Sequence, residues 1–321
     1  MVLNDKVYGK FVIDEPVILE LLKSRALQRL KNISQYGVPD KYYHHKNFSR
    51  YEHSVGVMLL LGKVGATLEE QIAGLLHDVS HFAFSHVVDW VLKEANNNSE
   101  SLHDELRHKF LKNSDIPRIL KKHGFLLERI SSEANFSLLE QDAPELCADR
   151  VDYSLREMVD WYNPDIVKKC LPLLVNFNGK LVFTNSRAAF LFARGYMDLQ
   201  TKHWGEYQAV VRYLLFSKVV RICIKEKILT KKDLYKDEKY ALEKIESCNN
   251  PVVSELLKTL LGNADGHKFP SQGQKIIVKK FRWVDPCFLD KGQLVRLSKA
   301  DTKYKKLLEK HKKINQQGVP V

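Results

Sequence analysis

The 321 residues are 44% hydrophobic, enough to bury a sizeable core as one large domain or two small ones. No uninterrupted apolar stretch approaches bilayer length, Met1-Val2-Leu3-Asn4-Asp5-Lys6 lacks an apolar leader, and five scattered cysteines show no paired spacing, so membrane-spanning and disulfide-stapled classes are excluded and a cytoplasmic protein with structural thiols is expected. Lys and Arg number 51 against 39 Asp and Glu, a surplus of +12 that attracts nucleotides, nucleic acid or acidic lipid heads without choosing among them.

Apolar residues recur at helical spacing over 17–33, 55–64 and 69–76. The last of these ends in Gly74-Leu75-Leu76 and runs straight into His77-Asp78-Val79-Ser80-His81, with His53, His86, His103 and His108 clustered around it. Helical periodicity returns over 87–92, 138–158, 188–197 and 207–228, with a polar break at Asn96-Asn97-Asn98-Ser99. Asn178-Gly179 lies between two strand-like runs, 174–177 and 180–183, and predicts a tight hairpin. A polar stretch over 262–274 precedes a strand candidate at 276–284, which divides the chain into a helical catalytic domain, 1–261, and a smaller lobe, 262–321. Lys303, Lys305, Lys306, Lys310, Lys312 and Lys313 crowd the lobe's basic helix, which reads as a solvated face or as a weak nucleic-acid contact. Residues 316–321 are expected to fray. The fold class is therefore mainly α, with a small β-hairpin and a minor α+β C-terminal lobe.

His77 and Asp78, with His53 ahead of them and Asp149 behind, offer two imidazoles and two carboxylates, a set that suits Zn, Fe, Mn, Ni or Co better than Mg or Ca. Neighbouring side chains on a helix diverge by about 100°, so ligation by both His77 and Asp78 needs a metal lying between helices. A metal there lowers the pKa of water and neutralises phosphoryl charge, the two needs of phosphate ester hydrolysis.

Arg50-Tyr51-Glu52-His53-Ser54-Val55-Gly56-Val57, then Leu76-His77-Asp78-Val79-Ser80-His81-Phe82-Ala83-Phe84-Ser85-His86, then Ala148-Asp149-Arg150-Val151-Asp152-Tyr153 resembles the HD-domain superfamily of phosphohydrolases. The likeness is to the branch of deoxynucleoside triphosphate triphosphohydrolases, the dGTPase and SAM-and-HD-domain enzymes. Leu27-Gln28-Arg29-Leu30-Lys31, Ser34-Gln35-Tyr36-Gly37, Phe281-Arg282-Trp283-Val284-Asp285-Pro286 and Val295-Arg296-Leu297-Ser298 extend it along nearly the whole chain. No SAM domain precedes residue 1, so the stand-alone microbial type is expected.

The resemblance implies an HD-domain helical bundle, a divalent metal held by His53, His77, Asp78 and Asp149 with Mg as an option at the phosphates, a nucleotide substrate and a homo-oligomer. It also implies that His86 lies beside the scissile phosphate, with His103, Asp104 and Asp89 around it. His86 is the expected proton donor to the departing 5′ oxygen, Asp89 shares its helical face three residues later, and His81 is expected on phosphate. His108 reads as a solvated helix histidine. Gln35, Tyr36, Arg50, Arg150 and Tyr153 are implied at phosphate or sugar, with Gln35 reading the 3′ hydroxyl. Arg156, two helical turns after Asp149, joins the arginines suited to bidentate phosphate contact.

Two departures bear on the substrate. Lys23 stands where nucleotide-activated relatives carry an acidic residue that reads guanine, and a lysine cannot accept the guanine N–H bonds, so guanine-specific activation is not expected. Thr201-Lys202-His203-Trp204 replaces the Tyr-X-His ending that crowds the sugar 2′ edge, which leaves rejection of ribonucleotides open. The leading expectation is hydrolysis of a deoxynucleoside triphosphate to deoxynucleoside and triphosphate. A nucleotidase or phosphodiesterase acting on monophosphates or cyclic nucleotides, and a nucleotide- or nucleic-acid-binding module that keeps the fold, are the alternatives.

Overall fold

A computed structural model of the chain describes residues 1–95, 107–262 and 276–320. The fold is mainly α with small sheets, as the patterning predicts. β1 (Val2–Asp5) and β2 (Gly9–Val12) form an N-terminal antiparallel pair. The helix expected over 17–33 divides into α1 (Pro16–Leu22), α2 (Arg25–Arg29) and a 3-10 turn at Leu30–Asn32. Ser24 makes the break: its backbone is extended and its hydroxyl accepts the Leu27 N–H, capping α2.

α3 (Arg50–Lys63) begins on a capping box in which Ser49 and Glu52 exchange hydrogen bonds, and α4 (Leu68–Leu76) begins on a Thr67 cap. The two helices lie against each other and bury Val57, Leu60, Leu61, Ile72 and Leu75. A loop leads to α5 (Ser85–Ala95), and α6 (107–112), α7 (Ile116–Lys122) and α8 (Leu127–Ile130) follow.

The helix expected over 138–158 starts only at α9 (Ala148–Glu157). The Glu70 carboxylate takes the Leu138 and Leu139 N–H groups at 2.7 and 3.2 Å, and Pro144 has no N–H to give, so the preceding residues satisfy their backbone outside a helix. α9 approaches α3 at Gly56, where a Cβ would overlap the Arg156 guanidinium and the Asp152 carboxylate. A residue without a side chain is what permits that approach.

α10 (Pro164–Cys170) leads to the expected hairpin, β3 (Leu174–Phe177) and β4 (Lys180–Phe183), with Asn178 and Gly179 at φ 52° and 78°. α11 (Ser186–Leu199) ends in a π-helical turn at Gln200–Trp204, and α12 (Tyr207–Lys225), α13 (Lys231–Leu234), α14 (Glu238–Glu246) and α15 (Pro251–Gly262) complete the helical body.

Of the strand expected over 276–284 only β5 (Ile276–Ile277) is paired, and the rest is extended without a ladder. β6 (Cys287–Asp290) runs parallel to β4 and antiparallel to β7 (Gln293–Arg296), so strands from both sides of residue 262 share one sheet in the order β3-β4-β6-β7. After α16 (Leu297–Ala300), α17 (Thr302–Gln317) carries all six of its lysines exposed and buries Tyr304. The fraying expected at the end does not occur through residue 320, because β8 (Val319–Pro320) pairs with β5.

Two hydrophobic clusters result. One joins α1–α4, α9–α11 and the sheet, and the other joins residues 36–48, the start of α5, α12, α14 and α15. Tyr153 packs against both. No helix among the described residues is long and apolar enough to cross a membrane.

Candidate metal centre and its cavity

α3 contributes His53, the end of α4 contributes His77, and the first turn of α9 contributes Asp149. Because α4 stops at Leu76, His77 caps the helix and Asp78 lies beyond it, so neighbours in sequence turn toward one centre. His53 Nε2 lies 2.8 Å from Asp149 Oδ1 and 3.9 Å from Asp78 Oδ2, and His77 Nε2 lies 3.5 Å from both Asp149 Oδ1 and Asp78 Oδ1. Donors about 2.1 Å from one ion stand about 3.0–3.4 Å apart in octahedral or tetrahedral arrangement, so His53 Nε2, His77 Nε2 and Asp149 Oδ1 need only small adjustments to share it, while Asp78 stands beside them with one oxygen toward each imidazole.

The ring nitrogens are already sorted for that purpose. His77 Nδ1 meets the Gly74 carbonyl at 2.7 Å, which leaves its buried Nε2 facing the centre with no hydrogen-bond partner among the described residues. His53 Nδ1 meets Asp152 Oδ2 at 2.8 Å and likewise presents Nε2. A carboxylate or carbonyl behind a ligating imidazole fixes its tautomer and raises its basicity. Burial opposes charge on His77, yet Asp78 and Asp149 outweigh it and hold the imidazole up at about 9. Burial would likewise raise the Asp149 carboxyl, but the hydrogen bond from His53 and the His77 imidazole beside it hold it well below the ordinary carboxylate range. Asp78 and Asp152 are answered by Arg50 and Arg156, while His53, His77 and Asp149 bring one donor atom each to within 4.8 Å of the others, a set that fits a divalent ion.

The centre opens into a cavity of about 720 Å³, within the size range of small-molecule sites. Arg50, buried at the start of α3, gives Nη1 to Asp78 Oδ2 at 2.5 Å and Nε to Ser85 Oγ at 2.6 Å, while Nη2 faces the Gln35 carbonyl and His86 Nε2, each at 3.4 Å. His81 Nε2 lies 3.0 Å from Asp78 Oδ1, and the His81 and His86 rings stand 5.8 Å apart. At the entry to α5 the chain takes positive φ at Phe84 and Ser85, 64° and 34°, an unfavourable backbone held by Glu238 accepting the Phe84 N–H and by Leu234 accepting the Ala83 N–H. That turn places His86 at the cavity wall.

Of the residues expected at the site, His77, Asp78, Asp149, Arg50, His81 and His86 line the cavity. Gln35, Tyr36 and Tyr153 line it as well. His53 is wholly buried, with Nε2 against Asp149. Asp89 falls on α5, and His103 and Asp104 lie outside the described residues. Two arginines are not brought to the cavity. Arg156 is buried and bonded to Asp152 and Asp5, at 2.8 and 2.7 Å, and Arg150 gives its donors to the Glu145 and Gln141 carbonyls, at 2.6 and 2.9 Å. His108 and Lys23 are exposed, away from the cavity lining.

Lys279, Lys280 and Arg282 form a basic stretch of the wall that sequence patterning shows only as a strand. Its signal is the run of cations beside Phe281 and Trp283. Asp152 also escapes the sequence pattern, although it stands one helical turn after Asp149 on the same helix and supports His53. Trp204 and Tyr213 add aromatic wall, and Tyr153 and Tyr196 join hydroxyl to hydroxyl at 2.6 Å.

The HD domain family matches residues 50–156, which contain His53, His77, Asp78 and Asp149. An uncharacterized protein, YdhJ, of Bacillus subtilis is 36% identical over 312 residues, 96% of this chain and 95% of that one. The metal-dependent phosphohydrolase cns2 of Cordyceps militaris is 34% identical over 228 residues, 68% of this chain and 65% of its own. The deoxynucleoside triphosphate triphosphohydrolase SAMHD1 of Gallus gallus is 28% identical over 147 residues, 40% of this chain and 24% of that protein. A crystal structure of a hypothetical protein from Aquifex aeolicus shares the fold, with TM-score 0.69 and 18% identity over 94% of this chain and 92% of that one. The converging His and Asp side chains, the matched domain and the near full-length relative together place the chain in the HD-domain superfamily of phosphohydrolases.

Proposed function

We propose that this phosphohydrolase acts on a nucleoside triphosphate, with a deoxynucleoside triphosphate as the leading substrate, and releases the nucleoside and inorganic triphosphate. The observation that carries the reading is one cavity in which the His and Asp centre shares walls with Lys279, Lys280 and Arg282. No ion pair engages those three cations among the described residues, so they offer their charge to a polyanion. A monophosphate would leave most of that charge unanswered. The part-length likeness to SAMHD1 supports the same substrate class.

His53, His77, Asp78 and Asp149 would hold the ion. Bound there, a divalent cation supplies Lewis-acid stabilisation of phosphoryl charge. Water attacks the α-phosphorus and releases a proton to solvent, the bond from phosphorus to the 5′ oxygen breaks, and His86 delivers the proton that the departing oxygen needs and is reprotonated from solvent. Arg50 is less a free phosphate clamp than a brace, because it fixes Asp78 and the Ser85 turn that aims His86. Gln35 Oε1 is buried without a hydrogen-bond partner among the described residues and can accept from a sugar hydroxyl. Tyr36 and Tyr153 supply wall for sugar or base.

Mass-spectrometric product analysis tests this with dNTPs, NTPs, dNMPs and cyclic nucleotides, each with Mn, Mg, Fe, Co and Ni supplied separately. Tripolyphosphate with free deoxynucleoside is expected, and His77→Ala abolishes it. Orthophosphate from a monophosphate as the sole product rejects the triphosphate reading in favour of a nucleotidase.

A further inference from the structure

Behind the aromatic wall of the cavity, a second group of ligand-type side chains converges. His44 and His45, from the loop before α3, meet His203, from the π-helical turn after α11, and one ligand atom from each lies within 4.8 Å of the others. The ring centroids stand 4.3, 5.0 and 5.8 Å apart around the triangle. Glu206 Oε1 reaches to 3.0 Å from His44 Nε2. None of these residues lies in the matched domain span.

His203 is the informative member. It is wholly buried, its Nε2 is engaged by the Tyr43 hydroxyl at 2.7 Å, and its Nδ1 lies 3.6 Å from Glu157 Oε2. His44 Nδ1, in the same group, is buried without a hydrogen-bond partner among the described residues, and a ligand that supplies one relieves the cost. We propose that His44, His45 and His203, with Glu206 as fourth donor, form a second transition-metal site of the Zn²⁺ class, separate from the HD centre. Three imidazoles and a carboxylate suit Zn, Co, Ni or Cu and not Mg or Ca. Nitrogens around a tetrahedral Zn ion stand about 3.4 Å apart, so closure asks the side chains to move by about 1 Å.

The ion would pin the 43–45 loop to the 200–204 turn. Tyr43 and Tyr36, which pack against His203, and Trp204 beside it all line the catalytic cavity, so the pin stiffens that wall.

The alternative is a stacked aromatic box, since His45 lies flat on Trp161 at 4.9 Å and 10°. Metal counting decides between them. The full chain is stripped with chelator, loaded with Zn²⁺, desalted and measured by inductively coupled plasma mass spectrometry. The expected result is two equivalents in the wild type, one after His77→Ala, one after His45→Ala and none after both. His45 is only half-buried, so its replacement leaves His203 in place, and His44→Ala serves as an independent variant, with circular dichroism reporting folding. A single equivalent in the wild type that disappears with His77→Ala overturns the proposal. So does a second equivalent that survives both His44→Ala and His45→Ala.

Discussion

Asp152 Oδ2 sits 2.8 Å from His53 Nδ1 and 2.8 Å from Arg156 Nε, so a single carboxylate oxygen joins a metal-facing imidazole to a buried guanidinium that continues to Asp5. Asp152→Asn removes the charge that steadies His53 while keeping the volume. Metal retention is expected to weaken by about 10- to 100-fold, read by competition with a chelator, and hydrolysis falls with it.

Gly56→Ala separates packing from propensity. Alanine favours a helix over glycine by about 1 kcal/mol, so propensity alone predicts stabilisation. The added Cβ would instead collide with the buried Arg156 guanidinium and the Asp152 carboxylate. A net loss of about 1–3 kcal/mol is expected in denaturant unfolding, with weaker metal retention because α9 carries Asp149.

Glu238 gives a pH signature. Burial, against hydrogen bonds from the Ser34 hydroxyl and N–H and from the Phe84 N–H, raises its carboxyl from 4.5 to about 7. As pH rises between those values the unfolded chain releases this proton while the folded chain keeps it, so the folded state is progressively disfavoured, by roughly 3 kcal/mol once pH exceeds the upper value. Below 4.5 the contribution vanishes. Glu238→Gln should flatten this part of the stability profile, measured as Tm across the acidic to neutral range, because the amide stays neutral throughout.

Lys279 sets a second pH dependence, on substrate rather than on folding. Burial first, and Arg282 second, pull its ammonium down to about 8. Raising the pH through that value removes a positive charge from the cavity wall, so KM for a polyphosphate substrate rises on the alkaline side. Lys279→Arg keeps the charge and should move that rise out of the working range, whereas Lys279→Ala raises KM at every pH.

Much of this is legible in the sequence because it is local. The hairpin at Asn178-Gly179 and helices α3, α4 and α12 follow from turn chemistry and apolar spacing, and the His77-Asp78 pair stands at a helix end where an apolar run stops. What escapes depends on partners remote in sequence. Nothing near Leu138 announces that Glu70 will take its N–H and hold it outside a helix. Arg156 stands two turns from Asp149, a spacing that suits phosphate, but Asp5, from the N-terminal strand, claims it. The role of Lys279, Lys280 and Arg282 as cavity wall is a matter of tertiary placement, which periodicity cannot report.

The short ladder between β5 and β8 acts on the substrate side of the molecule. Asn315 of α17 donates to the Lys279 carbonyl at 2.9 Å, and Val319 and Pro320 pair with Ile277 and Ile276, so the last helix and strand clasp the backbone immediately ahead of Lys280 and Arg282. Removing the chain from residue 315 onward would loosen the wall that carries Lys280 and Arg282 while sparing the His and Asp centre. Shortened protein of that kind should load metal normally yet need more nucleotide for the same rate, dividing the two halves of the active site by a cut made far from either in sequence.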